Sequence, residues 1–406
     1  MTPTSTRAHA ARSGLRAWVM ASLLAVVAAC SSDQPPIFEQ AASDATDELV
    51  AQTRKLPAFV VRMQASIMKS GAEAKRAVVI DPMLDTTTGQ QTIATTLLEQ
   101  RVTGRMTLKF DQFDFLPFQQ ANLAHAQYLL TGTLTRLPGS PPHKAVRISL
   151  ALTDLKTGSV LAHATTVARD DSLDHTALRY YKDSPVLLKD KVIEGYYRTT
   201  DTKAGERADA YYMERIAAAS MIKEATDLYN AERYQEALGQ YRSVLATPEG
   251  EQMRTLSGIY LTSVKLGKTA DAEKAFAGVV ALGLAYNELG VKFLFNPGST
   301  EFWSDPKISG AYPMWLRQIA RESANANACL EVVGHTSHSG SAAVNDQLSL
   351  KRASVIRERL VTEVGALGPR TRASGMGFRQ NIVGSGTDDA FDALDRRVEF
   401  KIVPCH

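Results

Sequence analysis

One short stretch holds most of the side chains that could do chemistry. His335, Ser337 and His338 lie together, and Arg352 follows fifteen residues after Ser337. An arginine suits a carboxylate, because its planar guanidinium offers two parallel N–H donors. His335 and His338 form an H-x-x-H pair, but they flank a strand end. A zinc site needs three or four ligands in defined geometry, and the pattern supplies no third. Ser337 between two histidines has the composition of a nucleophile and base, yet no G-x-S-x-G elbow surrounds it. Gly384-Ser385-Gly386-Thr387 is a loop, since no G-K-[ST] follows to cradle phosphate. These residue types favour binding over catalysis, and no metal, cofactor or enzymatic activity is expected.

Four strands and two helices must hold that stretch in place. Val291–Phe295 is predicted as a strand, Ser309–Arg321 as a helix and Leu330–Thr336 as a second strand. Asn345–Val364 is amphipathic, with Leu348, Ala353, Ile356 and Leu360 facing inward. Thr371–Gly377 and Arg397–Val403 complete a β-α-β-α-β-β order. Cys329 begins one predicted strand and Cys405 follows another. If those strands are antiparallel neighbours, both cysteines fall at one end of the sheet and can bridge.

The pieces of this region resemble the OmpA-like C-terminal family. Gly334-His335-Thr336, Gly340 and Asn345 to Ala353 (NDQLSLKRA) are similar to its GHTD…G…N-x-x-L-S-x-x-R-A signature. Ser374 to Gly377 and Asp395 to Phe400 are similar to its later G-x-G and N-R-R-V-E-F motifs. The resemblance covers 290–406 and implies non-covalent binding of the peptidoglycan stem peptide at diaminopimelate. In the family an aspartate after G-H-T meets the ammonium and an arginine meets the carboxylate. Arg352 fills the arginine position, while Ser337 stands at the aspartate position. Thr336, Asn345 and Leu348 complete the expected pocket. A hydroxyl accepts a hydrogen bond but carries no charge, so the pocket binds weakly, uses another acid such as Asp346, prefers a different ligand, or has lost binding.

At the other end, residues 1–16 are polar and basic, and an apolar run of 13 residues from Ala17 to Ala29 leads to Cys30. The run is too short to cross a hydrocarbon core of about 30 Å. Basic head, apolar centre and small residues describe a secretory signal over 1–29. Val27-Ala28-Ala29-Cys30 resembles a bacterial lipobox, whose cysteine is acylated and becomes the mature N-terminus. The plainer alternative is an ordinary signal peptide with an incidental cysteine. Residues 30–36 read as a tether. Ser31 after the cysteine favours the outer membrane under the sorting rule that the resemblance implies. With Cys30 acylated, Cys329 and Cys405 are the only thiols left, in an oxidising compartment that favours their disulfide.

Between these ends, 37–170 shows helix followed by β-α-β-α-β-β-β, the order of an α/β sandwich. Val78 to Pro82, Tyr128 to Thr133 and the turn at Leu155 to Gly158 resemble the domain shared by FlgO-like, CsgG-like and penicillin-binding-protein-activator lipoproteins, which implies a protein-interaction module. Residues 171–210 are charged and tyrosine-rich and read as a connector with partial helix. From 211 to 285 the chain is helical. Ala237-Leu238-Gly239-Gln240-Tyr241 aligns with Ala272-Glu273-Lys274-Ala275-Phe276 at a shift of 35, which resembles a tetratricopeptide repeat pair and fits a plain helical hairpin equally. The expected fold class is therefore multidomain α/β plus all-α.

The net charge of +3 comes from 46 basic and 43 acidic residues. Arg7, Arg12 and Arg16 all precede Cys30, so the mature chain carries no basic excess and nucleic acid is not an expected partner. The expected function is an outer-membrane lipoprotein on the periplasmic face that holds the cell wall and recruits an unidentified envelope protein. The alternative is an assembly or secretion scaffold whose degenerate pocket only docks proteins.

Overall fold

The computed structural model describes residues 35–54, 75–137, 145–171, 173–382 and 395–405. Residues 35–405 fall within one unit, and Cys30, the signal segment and Gly384–Thr387 lie outside the described residues. The described chain mixes helices with two sheets.

Apolar and β-branched residues build the first sheet. Helix α1 (Phe38–Thr53) precedes β1 (Arg76–Ile80) and β2 (Leu84–Asp85); α2 (Ile93–Lys109), β3 (Phe113–Leu116) and the one-turn α3 (Gln120–Leu123) follow. Three long strands, β4 (Tyr128–Leu137), β5 (Ala145–Asp154) and β6 (Val160–Arg169), close the sheet in the order β3-β1-β4-β5-β6, with β2 on β4. β1 runs parallel to β3 and β4, and β4, β5 and β6 are antiparallel. The β5–β6 turn forms because Asp154 accepts the N–H groups of Lys156 and Thr157.

Successive residues of β1 point to opposite faces. Val78 joins the core under α1 and α2, whereas Val79 joins a second cluster with Leu129, Val192, Tyr196 and Tyr212. Helix α4 (Arg179–Asp183) packs its tyrosines into the core of the helices that follow, and the second layer comes from α5 (Lys191–Asp201) and α6 (Ala210–Met213), with Ile216 and Ala219. The segment 171–210 is thus more than a connector, because Tyr180, Tyr181 and Tyr196 are buried. The Tyr196 hydroxyl both donates to the Gly132 carbonyl and accepts from its N–H, at 2.9 Å each. On edge strand β6, Gln52 pairs its amide with the N–H and C=O of His163, as a neighbouring strand would.

Four helices continue the chain: α7 (Ile216–Asn230), α8 (Tyr234–Leu245), α9 (Met253–Lys265) and α10 (Thr269–Tyr286). Ala237, Tyr241, Ala272 and Phe276 are all buried between them.

The second sheet contains β7 (Leu289–Val291), β8 (Cys329–Gly334), β9 (Thr371–Gly375) and β10 (Val398–Val403), in the order β7-β10-β8-β9. Helices α11 (Pro306–Ser309), α12 (Tyr312–Asn325) and α13 (Ala342–Glu363) interleave with them. The strand expected at Val291–Phe295 lies instead at Leu289–Val291. Phe293 and Phe295 leave the ladder to pack against Phe302, and Phe293 also meets Tyr312 and Trp315. The free side of β7 is covered by Pro185–Leu187: Leu187 N–H donates to Gly290 and Lys292 N–H to Pro185. A single hydrophobic cluster joins α7–α10 to this sheet.

Candidate functional site

Gly334 ends β8 where α13 crosses it. A Cβ there would lie 2.1 Å from the Ser349 carbonyl oxygen, and one at Gly375 would lie 2.5 Å from the Leu350 nitrogen. Only glycine lets the strand ends approach the helix this closely. Their proximity brings the loop after β8 beside the first turns of α13.

Asn345 ties that loop to the helix by donating to the carbonyls of Ser339 (2.7 Å) and Ser341 (3.1 Å). Ser341 caps α13 through the Val344 N–H. Thr336 and Ser337 are buried, and the two hydroxyls of Ser337 and Ser339 lie 3.3 Å apart. Thr336 donates its N–H to Gly377, while its buried hydroxyl has no hydrogen-bond partner among the described residues. Leu348 is half-buried, whereas Ala353, Ile356 and Leu360 are fully inward.

Arg352 is 3% exposed. Its Nε donates to the Ser299 carbonyl at 3.0 Å and its Nη2 to the Asn296 carbonyl at 3.1 Å. The guanidinium carbon sits 4.9 Å from the centre of the Phe295 ring. These contacts set the plane of the fork, and an arginine over an aromatic face gains cation–π attraction as well. Asn296, Ser299 and Phe295 were not singled out by sequence reasoning; the turn chemistry of Asn296-Pro297-Gly298-Ser299 after a strand is the signal that could have marked them. Asp346, the alternative acid, is paired with Arg379 at 2.6 Å.

The two histidines have different surroundings. His335 is buried, with Nε2 at 3.5 Å from a Glu399 carboxylate oxygen. Burial lowers the His335 pKa, opposed by Glu399. Burial would raise the Glu399 carboxyl, but His335 and Arg397 outweigh it and hold the group well below the usual carboxylate range. His338 instead packs its ring 4.3 Å from that of Phe378. Among the described residues no group of three His, Cys, Asp or Glu could hold a metal ion. At the far end of β8, Cys329 lies opposite Val403 and is bonded to Cys405, with 5.3 Å between their Cα atoms.

Residues 294–393 match the model of the OmpA family. The chain carries an OmpA family domain at its C-terminus. Over 115 residues it is 38% identical to Outer membrane porin F of Pseudomonas aeruginosa, covering 28% of this chain and 31% of the porin. The chain thus spans about a third of the length of that relative. Among solved structures, the peptidoglycan-associated lipoprotein from Burkholderia pseudomallei is similar at 22% identity, over 27% of this chain and 88% of that one, with a TM-score of 0.24. The periplasmic domain of Helicobacter pylori MotB is similar at 16% identity over 29% and 76% of the two chains, with a TM-score of 0.23. The cell wall anchor of the T6SS from Pseudomonas aeruginosa is similar at 21% identity over 28% and 78%, also with a TM-score of 0.23. The OmpA domain contains all the residues expected for the pocket. No helix among the described residues is long and apolar enough to cross a membrane.

Proposed function

We propose that this protein is an outer-membrane lipoprotein that associates with peptidoglycan through its OmpA domain and recruits an envelope partner through the rest of the chain. The observation that carries the reading is the buried fork of Arg352, oriented by the carbonyls of Asn296 and Ser299. A stem-peptide carboxylate of diaminopimelate would meet Arg352, and its ammonium would meet hydroxyls rather than an acid. Thr336, Asn345 and Leu348 would shape the rest of the pocket. Cys30 would carry the lipid, holding the chain to the membrane on its periplasmic side. In this reading 37–170 is the α/β interaction module of envelope lipoproteins, and 211–285 is a pair of tetratricopeptide-like hairpins that presents a partner surface.

The alternative scaffold, in which the OmpA pocket only docks proteins, is favoured by one observation: Asp346, the nearby substitute acid, is already paired with Arg379. Sedimentation of the full chain with purified peptidoglycan separates the two. Retention of wild type that is lost in Arg352→Ala supports wall binding, and failure of wild type to sediment supports the scaffold.

A further inference from the structure

Asp81 follows β1 and is 5% exposed. Its Oδ2 accepts the Tyr212 hydroxyl at 2.6 Å, joining the first sheet to α6. The carboxyl borders a cavity between the sheet and the helices, also lined by Tyr181, Tyr196, Lys223 and Arg254, with room for about one water molecule. Arg254 of α9 is 8% exposed, and its Nε has no hydrogen-bond partner among the described residues.

We propose that Asp81 is a proton-operated latch between the N-terminal sheet and the helices that cover it. With the carboxyl protonated, the nearly dry junction holds no negative charge and the layers close, although the Tyr212 bond itself favours the ionised form. On ionisation, a charge enters a site with almost no water and the junction loosens.

The groups facing Asp81 come from every element packed there. Glu99 on α2 adds negative charge, and its own carboxyl is raised by burial. Tyr181 on α4, Tyr196 on α5 and Tyr212 on α6 present phenols. Lys223 on α7 and Arg254 on α9 supply positive charge, but Arg254 is shared with Asp190, the cap of α5. Burial therefore dominates and pushes the Asp81 carboxyl up to about 6, with Arg254 and Tyr212 pulling the other way. The sign follows from linkage: the folded chain binds the proton more tightly than the unfolded one, so this stabilisation is full below the ordinary value near 4 and disappears as pH rises through about 6.

The test compares the full chain with Asp81→Asn, which keeps the shape of the protonated acid. Denaturant unfolding and amide hydrogen exchange of β1 and α6 are followed from pH 4 to 8. Relative to Asp81→Asn, the wild-type folded-to-unfolded ratio should fall by roughly a hundredfold across that range, with exchange at the junction speeding up in step. Parallel pH profiles for the two proteins would overturn the proposal. Should Asp81→Asn fail to fold, Tyr212→Phe decides: it removes a bond that favours the ionised form, so the wild-type transition should move to higher pH, and an unmoved transition would sink the latch.

Discussion

Trp315 of the OmpA domain donates its indole N–H to the hydroxyl of Tyr260 on α9, at 2.8 Å, inside a core that both regions share. Trp315 also stacks on Phe276 of α10 at 5.5 Å. The wall-binding candidate is therefore fastened to the helices before it, so Tyr260→Phe tests that fastening. It leaves a buried indole N–H unpaired, and stability should fall by about 1–3 kcal/mol in urea unfolding. An unchanged midpoint would mean that the junction contributes nothing to the fold.

The pocket prediction turns on Ser337. A carboxylate there, within about 4 Å of a ligand ammonium, adds roughly 1–4 kcal/mol of attraction, depending on the local dielectric. Ser337→Asp should tighten binding of wall fragments in a titration at physiological salt, less any energy spent pairing with Arg352. Arg352→Ala should abolish it. Equal weak binding by wild type and both variants would make the pocket vestigial.

Lipidation is checked by intact mass. Membrane-extracted protein should begin at an acylated Cys30, and Cys30→Ser should block that processing. A mature chain that starts elsewhere without lipid would remove the anchor from the proposed function.

The bridge between Cys329 and Cys405 closes the end of the second sheet. Alkylation of the unreduced protein should therefore find neither thiol. Cys405→Ser should cost about 2–4 kcal/mol of stability. Two reactive thiols per folded chain would contradict the pairing.

Acid should weaken the OmpA domain through His335 and Glu399. Both groups are held below their ordinary pKa in the folded state. Their stabilisation is thus present above the unfolded values, near 6.5 and 4.5, and is lost as pH falls. Glu399→Gln should lower the melting temperature more at pH 7 than at pH 3.5. The same decrement at both would mean that ionisation of Glu399 is not involved.

The elements of the OmpA domain were readable because their signals are local. Glycines at 334 and 375, the N-x-x-L-S pattern of α13 and the alternation in β10 each constrain a few neighbouring residues. The β4–β5–β6 meander was equally plain, since period-two alternation and the Asp154 turn specify hairpins at short range. Segment 171–210 misled for the converse reason. Its charge and tyrosine content describe a partly helical connector until Tyr180 and Tyr196 find distant partners in Arg254 and Gly132.

By itself, the sequence determined that a short stretch around Ser337 and Arg352 is a binding pocket candidate on an OmpA-like frame. Only the tertiary structure decided that Arg352 takes its orientation from Asn296 and Ser299. It also decided that Asp346 is engaged by Arg379 and that Asp81 is sealed under Tyr212. The physical reason is separation along the chain. Such contacts depend on which surfaces pack together, and packing depends on shape and burial summed over the whole core, which no local periodicity encodes.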